Sequence, residues 1–188
     1  SRFNRLNEPD PSYHGVVYTE ALGPAAYIGR ARVVPLRNTG SAISPMNSFM
    51  ILQGIETLPV RMDRHCENAV EVVNYLTKHN KVDWVRYARL SDHQDNQLLK
   101  KYCNDKAAGI LSFGIKGGVK AGTKFIDALE LITRLVNIGD AKSLACHPAT
   151  TTHRQLSPEE LARAGVSDDL VRLSVGIEHI DDLLSDIE

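Results

Sequence analysis

Hydrophobic residues recur at helical spacing through the middle of the chain. Ser44 followed by Pro45 predicts a helix start, since serine caps a first turn and proline needs no N–H there. The apolar positions then follow one face as far as residue 79, and Pro59 falls within the pattern. We therefore expect one long helix over 44–79, kinked at Pro59. Its apolar positions are Phe49, Leu52, Ile55, Met62, Ala69, Val73 and Leu76.

Beyond residue 80 the pattern changes to short strands that alternate with helices. Alternating or continuous apolar runs predict strands, and apolar residues every three or four positions predict helices. This order of elements predicts an α/β fold, with a small sheet covered by helices. We expect strands at 82–87, 109–115 and 170–175, with one or two more within 137–146, and helices at 94–103, 122–136, 157–165 and 179–187.

Residues 1–24 carry no periodicity and are interrupted by proline and glycine, so we expect mostly loop with a short helix around 16–21. A short helix-to-turn element at 28–34 and a loop at 36–40 follow. The chain begins at Ser1, without methionine, inside a polar loop. A start in such a loop favours a piece of a longer polypeptide.

Composition narrows the class of protein. The chain has 188 residues, of which 43% are hydrophobic and 24% charged, as is usual for a soluble globular protein. A net charge of −1 without basic blocks argues against nucleic-acid binding. No apolar run reaches the roughly 18 residues of a membrane span. Three scattered cysteines favour the reducing cytoplasm over a disulfide framework.

Three familiar chemistries are poorly supported. The 114–124 segment is rich in glycine and lysine but lacks the spacing of a phosphate-binding loop, so a turn is favoured. His147 and His153, with Cys146 beside them, do not have the spacing of a zinc site, and we expect no metal. The neighbours Cys146 and His147 are not thereby a catalytic pair, and no serine lies in a nucleophile elbow.

Arg172 is the unusual residue of the last predicted strand. A guanidinium in an apolar strand needs an anion, because a buried charge without a partner is costly. That anion is either a side chain such as Asp140 or Glu178, or the carboxylate of a ligand, which arginine can bind through two parallel hydrogen bonds. The residues alone leave both alternatives open.

Several long segments resemble a known family. Asn137-Ile-Gly-Asp-Ala-Lys-Ser-Leu, His147-Pro-Ala-Thr-Thr-Thr-His153 and Val171-Arg-Leu-Ser-Val-Gly-Ile-Glu178 are similar to C-terminal motifs of the Cys/Met-metabolism family of pyridoxal-phosphate (PLP) enzymes. Glu8-Pro-Asp-Pro-Ser-Tyr-His-Gly15 and Ile110-Leu-Ser-Phe-Gly-Ile-Lys-Gly-Gly118 resemble its sulfhydrylase branch. The resemblance covers nearly the whole chain.

The resemblance implies the C-terminal part of a PLP fold-type-I transferase. In that fold a large PLP-binding domain is followed by a long helix and a small α/β domain. Residues 1–43 would then end the large domain, 44–79 would form the interdomain helix, and 80–188 would form the small domain. Relatives are usually cytoplasmic homotetramers.

The resemblance also implies roles for particular residues. Arg172 matches the arginine that binds the substrate α-carboxylate, Asn137 lies in the loop that assists it, and Thr152 matches a position often near the substrate. Asn137 stands where the lyases commonly have serine, which favours the sulfhydrylase branch.

The implied reaction belongs to methionine biosynthesis. It replaces the acetyl group of O-acetyl-L-homoserine by sulfide or methanethiol, which gives homocysteine or methionine and acetate. The alternatives are a cystathionine γ-synthase or a methionine γ-lyase of the same family, or a non-catalytic fragment with a role in assembly.

One departure from the family is large. The Schiff-base lysine lies in a Ser-x-Thr-Lys type motif, and no lysine among the 188 residues has that context. The residues that hold the phosphate, pair with the ring nitrogen and stack on the ring of PLP also lie upstream of the matching segment. We therefore expect PLP to be bound mainly outside this chain, and residues 1–188 alone to be inactive.

Overall fold

The computed structural model describes residues 2–188 and divides into two compact units, Ser1–Gln53 and Gly54–Glu188. Each unit has a separate cluster of buried apolar side chains. None of the helices within the described residues is long and apolar enough to cross a membrane.

The first unit consists of short helices around a small core of Tyr18, Ala26 and Val34. A 3₁₀ turn at Gly23–Ala25 and a π-helical turn at Arg32–Leu36 join its helices into a nearly continuous path. The helices are α1 (Asn4–Asn7), α2 (Tyr18–Leu22), α3 (Ala26–Ala31), α4 (Arg37–Thr39) and the start of α5 (Pro45–Glu56).

Asp10 is the polar centre of this unit. Its carboxylate accepts hydrogen bonds from the Ser12 hydroxyl (2.5 Å), from the Tyr18 hydroxyl (3.0 Å) and from Arg30 Nε (3.2 Å). The hydrogen bonds from Ser12 are the main reason why the pKa of Asp10 lies below its ordinary value, and Tyr18 and Arg30 add to that shift.

The predicted start of the central helix is confirmed, because Ser44 Oγ accepts a hydrogen bond from Asn47 N at 3.2 Å. The prediction of one kinked helix is wrong. Helix α5 ends at Glu56 and α6 (Leu58–Leu76) begins after Thr57. Pro59 lies in the first turn of α6, where a missing N–H costs no helical hydrogen bond.

The second unit is built on a five-stranded sheet in the order β1-β2-β5-β4-β3. All neighbouring strands are antiparallel except β3 and β4, which are parallel. The α/β fold predicted from the sequence is confirmed. The strands are β1 (Val82–Arg86), β2 (Ile110–Ile115), β3 (Thr133–Arg134), β4 (Leu144–Cys146) and β5 (Leu170–Ser174).

Four further helices accompany the sheet, and one differs from its prediction. The predicted helix at 122–136 is instead α8 at Gly118–Ala128, which follows a turn at Gly117. Beyond it the backbone N–H groups of residues 130–132 donate to the Asp186 carboxylate, so the chain leaves the helix and continues into β3. The other three are α7 (Asn96–Cys103), α9 (Pro158–Arg163, with the predicted Ser157 capping box) and α10 (Ile180–Ile187).

The main core lies between one face of the sheet and the apolar faces of α6, α8 and α10. Its burial requires the alternation seen in β5, where Val171 and Leu173 enter the core while Arg172 points to the opposite face. The core includes Ala69, Val72, Val73, Leu76, Leu111, Phe113, Ile126, Val171, Leu173, Leu183 and Ile187.

Two leucines provide a matched test of this core. Leu173 is 1% exposed and Leu98 is 53% exposed. We expect Leu173→Ala to lower the free energy of unfolding by about 2–5 kcal/mol and Leu98→Ala by less than about 0.5 kcal/mol. Urea unfolding followed by the fluorescence of Trp84, the single tryptophan, measures both. Equal losses in the two variants would contradict the assignment of the core.

The acidic pKa of Asp10 can be measured from the ¹³C shift of its carboxyl group. We expect a midpoint below the ordinary value of 3.8, and a rise toward that value in Ser12→Ala, because the Ser12 hydrogen bonds contribute most to the shift. Asp10→Asn identifies the signal. The lowered pKa stabilises the folded state above the unfolded-state pKa, and this contribution is lost as the pH falls through the folded-state pKa. A titration midpoint of Asp10 at the ordinary value, unchanged by Ser12→Ala, would refute this account.

Candidate anion-binding site around Arg172

Arg172 lies at the centre of β5, on the sheet face that points away from the main core. It is paired with Ser112 of β2 on one side and with Cys146 of β4 on the other. Directly opposed residues of antiparallel strands share a face, so the three side chains form one row across the sheet. Arg172 is half-buried within this row.

The guanidinium of Arg172 has one hydrogen-bond partner within residues 2–188, a backbone carbonyl. Its Nη2 donates to the carbonyl oxygen of Asn137 at 3.3 Å. In the same part of the chain no carboxylate oxygen lies within the 4.0 Å of an ion pair from this guanidinium. Since a guanidinium has five N–H donors, most of its donor capacity is available to a ligand.

The two acids that the sequence offered as partners are engaged elsewhere. Asp140 accepts from the side chain of Asn137 at 3.4 Å and from Lys142 N at 3.1 Å. Glu178 accepts from Ser143 N at 2.6 Å and from Ser143 Oγ at 2.9 Å. Neither carboxylate therefore neutralises Arg172 in this structure.

Cys146 does not supply the missing anion either. Burial raises the pKa of its thiol above the ordinary value, although the nearby Arg172 guanidinium opposes this shift. The thiol thus remains uncharged near neutral pH, and the row across the sheet carries the positive charge of Arg172.

The 137–143 loop positions the Asn137 carbonyl. Asn137 Oδ1 accepts from the N–H of Ile138 at 2.9 Å, and its Nδ2 donates to Asp140, so its side chain organises the loop itself. Gly139 adopts φ +72°, a left-handed conformation that suits glycine. Asn137 thus contacts Arg172 through its backbone and shapes the loop through its amide.

A second segment, the 175–178 turn after β5, binds the end of this loop. Gly176 N donates to Ser143 Oγ at 2.7 Å, and Ile177 N donates to the carbonyl of Ala141 at 3.0 Å. A side chain on Gly176 would lie 2.4 Å from the Ala141 oxygen and also 2.4 Å from Glu178 Oε2. The contact therefore requires glycine at this position.

Helix α6 holds the same 175–178 turn through side-chain hydrogen bonds. His65 Nδ1 donates to the carbonyl of Val175 at 2.6 Å, and Asn68 Nδ2 donates to the carbonyls of Gly176 (3.1 Å) and Glu178 (2.9 Å). Sequence reasoning did not identify these roles. Their signal is that two polar residues occupy the otherwise apolar, buried face of α6.

The histidine-rich 147–153 segment has a different arrangement. His147 is buried, and its Nδ1 and Nε2 contact Thr150 Oγ1 and the Asp168 carbonyl, both at 3.0 Å. Thr152 is exposed and contacts His153 Nδ1 at 2.7 Å. Within residues 2–188 no hydrogen bond joins Thr152 to Arg172 or to Asn137. Of the three predicted site residues, the structure therefore brings Arg172 and Asn137 into contact, but not Thr152.

This arrangement suits a planar anion. Arg172 presents a fixed positive charge that has no carboxylate partner within residues 2–188, and arginine binds carboxylates through two parallel N–H donors. Across the same described residues, no three His, Cys, Asp or Glu side chains converge as a metal site.

Comparison with known proteins identifies the family. Residues 12–188 match the family described as Cys/Met metabolism PLP-dependent enzyme. The chain is 52% identical to an O-acetyl-L-homoserine sulfhydrylase of Leptospira meyeri, over 100% of this chain and 44% of the relative. It is 49% identical to a homocysteine synthase of Schizosaccharomyces pombe, over 98% of this chain and 43% of the relative.

A solved structure agrees. It is described as a candidate O-acetylhomoserine (thiol)-lyase from Campylobacter jejuni with a pyridoxyl-lysine monophosphate, and it superposes with a TM-score of 0.86 at 40% identity. The match covers 99% of this chain and 44% of that one, so the chain spans less than half the length of these relatives. The chain belongs to the family of Cys/Met metabolism PLP-dependent enzymes.

Proposed function

We propose that this chain is the substrate-carboxylate-binding part of a PLP-dependent γ-replacement enzyme. The intact enzyme would convert O-acetyl-L-homoserine and sulfide to homocysteine and acetate, or use methanethiol to give methionine. The names of the similar proteins from Leptospira meyeri and Schizosaccharomyces pombe support this reaction class.

One observation carries the proposal. Arg172 is half-buried and lacks a carboxylate partner within residues 2–188, while Asp140 and Glu178 bind other groups. Most N–H donors of this guanidinium are therefore available to a ligand, and arginine binds carboxylates through two parallel hydrogen bonds. An amino-acid substrate carries a carboxylate of the required charge and planarity, so Arg172 would orient it and thereby the Cα–H bond for proton removal.

Asn137 and Thr152 would have smaller roles. The Asn137 carbonyl accepts from Nη2 and thus limits rotation of the Arg172 guanidinium about its stem. The remaining N–H groups would bind the carboxylate. Thr152 is exposed on the 147–153 segment and would line the substrate side of the site, an assignment supported by the resemblance of that segment to relatives.

The attachment point of PLP in this family is not found in this chain, because no lysine has the family's Schiff-base context. When bound, PLP supplies an electron sink for negative charge at the substrate Cα. We infer that it is held mainly by the part of the intact enzyme outside residues 1–188, and that these residues alone are inactive.

The domain assignment of 1–43, 44–79 and 80–188 remains our proposal, with α5 and α6 in place of a single helix over 44–79. Helix α5 supports it, because none of its residues is buried and its apolar side chains are distributed around the helix rather than along one face. Such a helix is typically enclosed by other protein. The rest of the large domain, and the other subunits of a homotetramer, would provide that enclosure. The exposed apolar residues of α5 are Met46, Phe49, Met50, Ile51, Leu52 and Ile55.

The enzyme would work in the cytoplasm. Cys66, Cys103 and Cys146 are all free thiols, in agreement with a reducing compartment.

Replacing Arg172 tests the proposed role directly. In the intact, PLP-loaded enzyme we expect Arg172→Ala to lower kcat/KM for O-acetyl-L-homoserine by at least about 30-fold, since a charged hydrogen-bonded contact is removed. The exposed Arg163 of α9 is the matched control, and Arg163→Ala should change kcat/KM by less than about twofold. Unchanged kinetics in Arg172→Ala would refute the carboxylate role.

The products distinguish the reaction from its alternatives. We expect the intact enzyme to form homocysteine from O-acetyl-L-homoserine only when sulfide is present, because a replacement needs the nucleophile. A γ-lyase would instead release 2-oxobutanoate and ammonia without sulfide, and a cystathionine γ-synthase would prefer cysteine. The absence of any turnover would favour a non-catalytic role. Chromatography of the products with sulfide, with cysteine and with neither measures the outcome.

A further inference from the structure

The polar contacts beneath the 137–143 loop form a continuous connection from α6 to Arg172. Asn68, 4% exposed, donates to two carbonyls of the 175–178 turn. The same turn binds Ser143 through the Gly176 N–H and through the Glu178 carboxylate. Ser143 ends the loop whose first residue, Asn137, accepts from the guanidinium.

Ser143 is the junction of this connection. Ser143 is 2% exposed, and its hydroxyl donates to Glu178 while accepting from Gly176. It directly precedes β4, in which Cys146 is paired with Arg172 of β5. A displacement of Ser143 would therefore move both the loop that carries the Asn137 carbonyl and the strand beside Arg172.

Glu178 makes an unusually complete contact for one side chain. Its two carboxylate oxygens accept separately from the N–H and the hydroxyl of Ser143, at 2.6 and 2.9 Å. Hydrogen bonds to a charged acceptor are stronger than neutral ones. The backbone carbonyl of Glu178 accepts a hydrogen bond from Asn68 of α6. Helix α6 therefore holds Ser143 in place through Glu178.

We propose that Glu178 and Ser143 are positioning residues for Arg172. They hold the 137–143 loop in the position in which the Asn137 carbonyl accepts from Arg172 Nη2. That contact orients the guanidinium toward a bound carboxylate. This inference rests on the proposed function, because it assumes that Arg172 binds the substrate. In addition, Glu178 would influence how tightly Arg172 binds the substrate without contacting the substrate itself.

A double-mutant cycle in the intact enzyme tests this role. We expect Glu178→Gln to lower kcat/KM for O-acetyl-L-homoserine on the order of tenfold, mainly by raising KM, because one of its two acceptor oxygens is replaced by a donor. In an Arg172→Ala background the same substitution should change kcat/KM by less than about twofold, since the group that it positions is absent.

Glu159→Gln on α9 is the matched control, because Glu159 is exposed and lies outside this network, and it should be silent in both backgrounds. Ser143→Ala removes the hydroxyl that donates to Glu178. If Glu178→Gln folds poorly, the cycle is measured with Ser143→Ala instead, and the same dependence on Arg172 is expected. Circular dichroism and PLP absorbance verify that the variants compared are folded and loaded.

The outcomes separate the two claims. Equal losses from Glu178→Gln in the wild-type enzyme and in the Arg172→Ala variant, or no loss in either, would overturn the positioning role and leave the proposed function standing. If Arg172→Ala itself leaves kcat/KM unchanged, the proposed function fails and the positioning role fails with it.

Discussion

The second unit is packed around the strand of Arg172, a positive charge that has no carboxylate counter-charge within residues 2–188. Arg172 occupies the central position of β5, between strands whose other face closes the main core. The core fixes the strand, the strand fixes the guanidinium, and the nearby acids are bound to backbone and hydroxyl groups instead. We propose that a cation held in this way binds an anionic ligand.

The support for this charge comes from elements that are distant in the sequence. Helix α6 contributes His65 and Asn68, which bind the carbonyls of the 175–178 turn, and that turn binds Ser143. The contacts of His65 with Val175, of Asn68 with Gly176 and of Gly176 with Ser143 are buried, and Gly176 leaves no room for a side chain. Precise placement of a binding group depends on such surrounding contacts as much as on the group itself.

The sequence predicted β1, β2, β4 and β5, the helix caps at Ser44 and Ser157 and the unusual position of Arg172, because these follow from local periodicity and from single residues. It missed β3, which lies inside the predicted helix at 122–136. It failed where a distant partner decided the outcome. The predicted helix at 122–136 ends at Ala128 because the backbone beyond it donates to Asp186, far along the chain. In the same way, whether Glu178 would pair with Arg172 or with another group depended on tertiary placement that no local pattern encodes.

The central claim is that the partner of Arg172 is the α-carboxylate of the substrate. The most direct measurement is a crystal structure of the intact, PLP-loaded enzyme with a non-reactive analogue of O-acetyl-L-homoserine. We expect two N–H···O contacts of about 2.7–2.9 Å between the Arg172 guanidinium and the α-carboxylate of the analogue. A carboxylate bound elsewhere, with Arg172 paired to an acidic side chain of the protein, would contradict it.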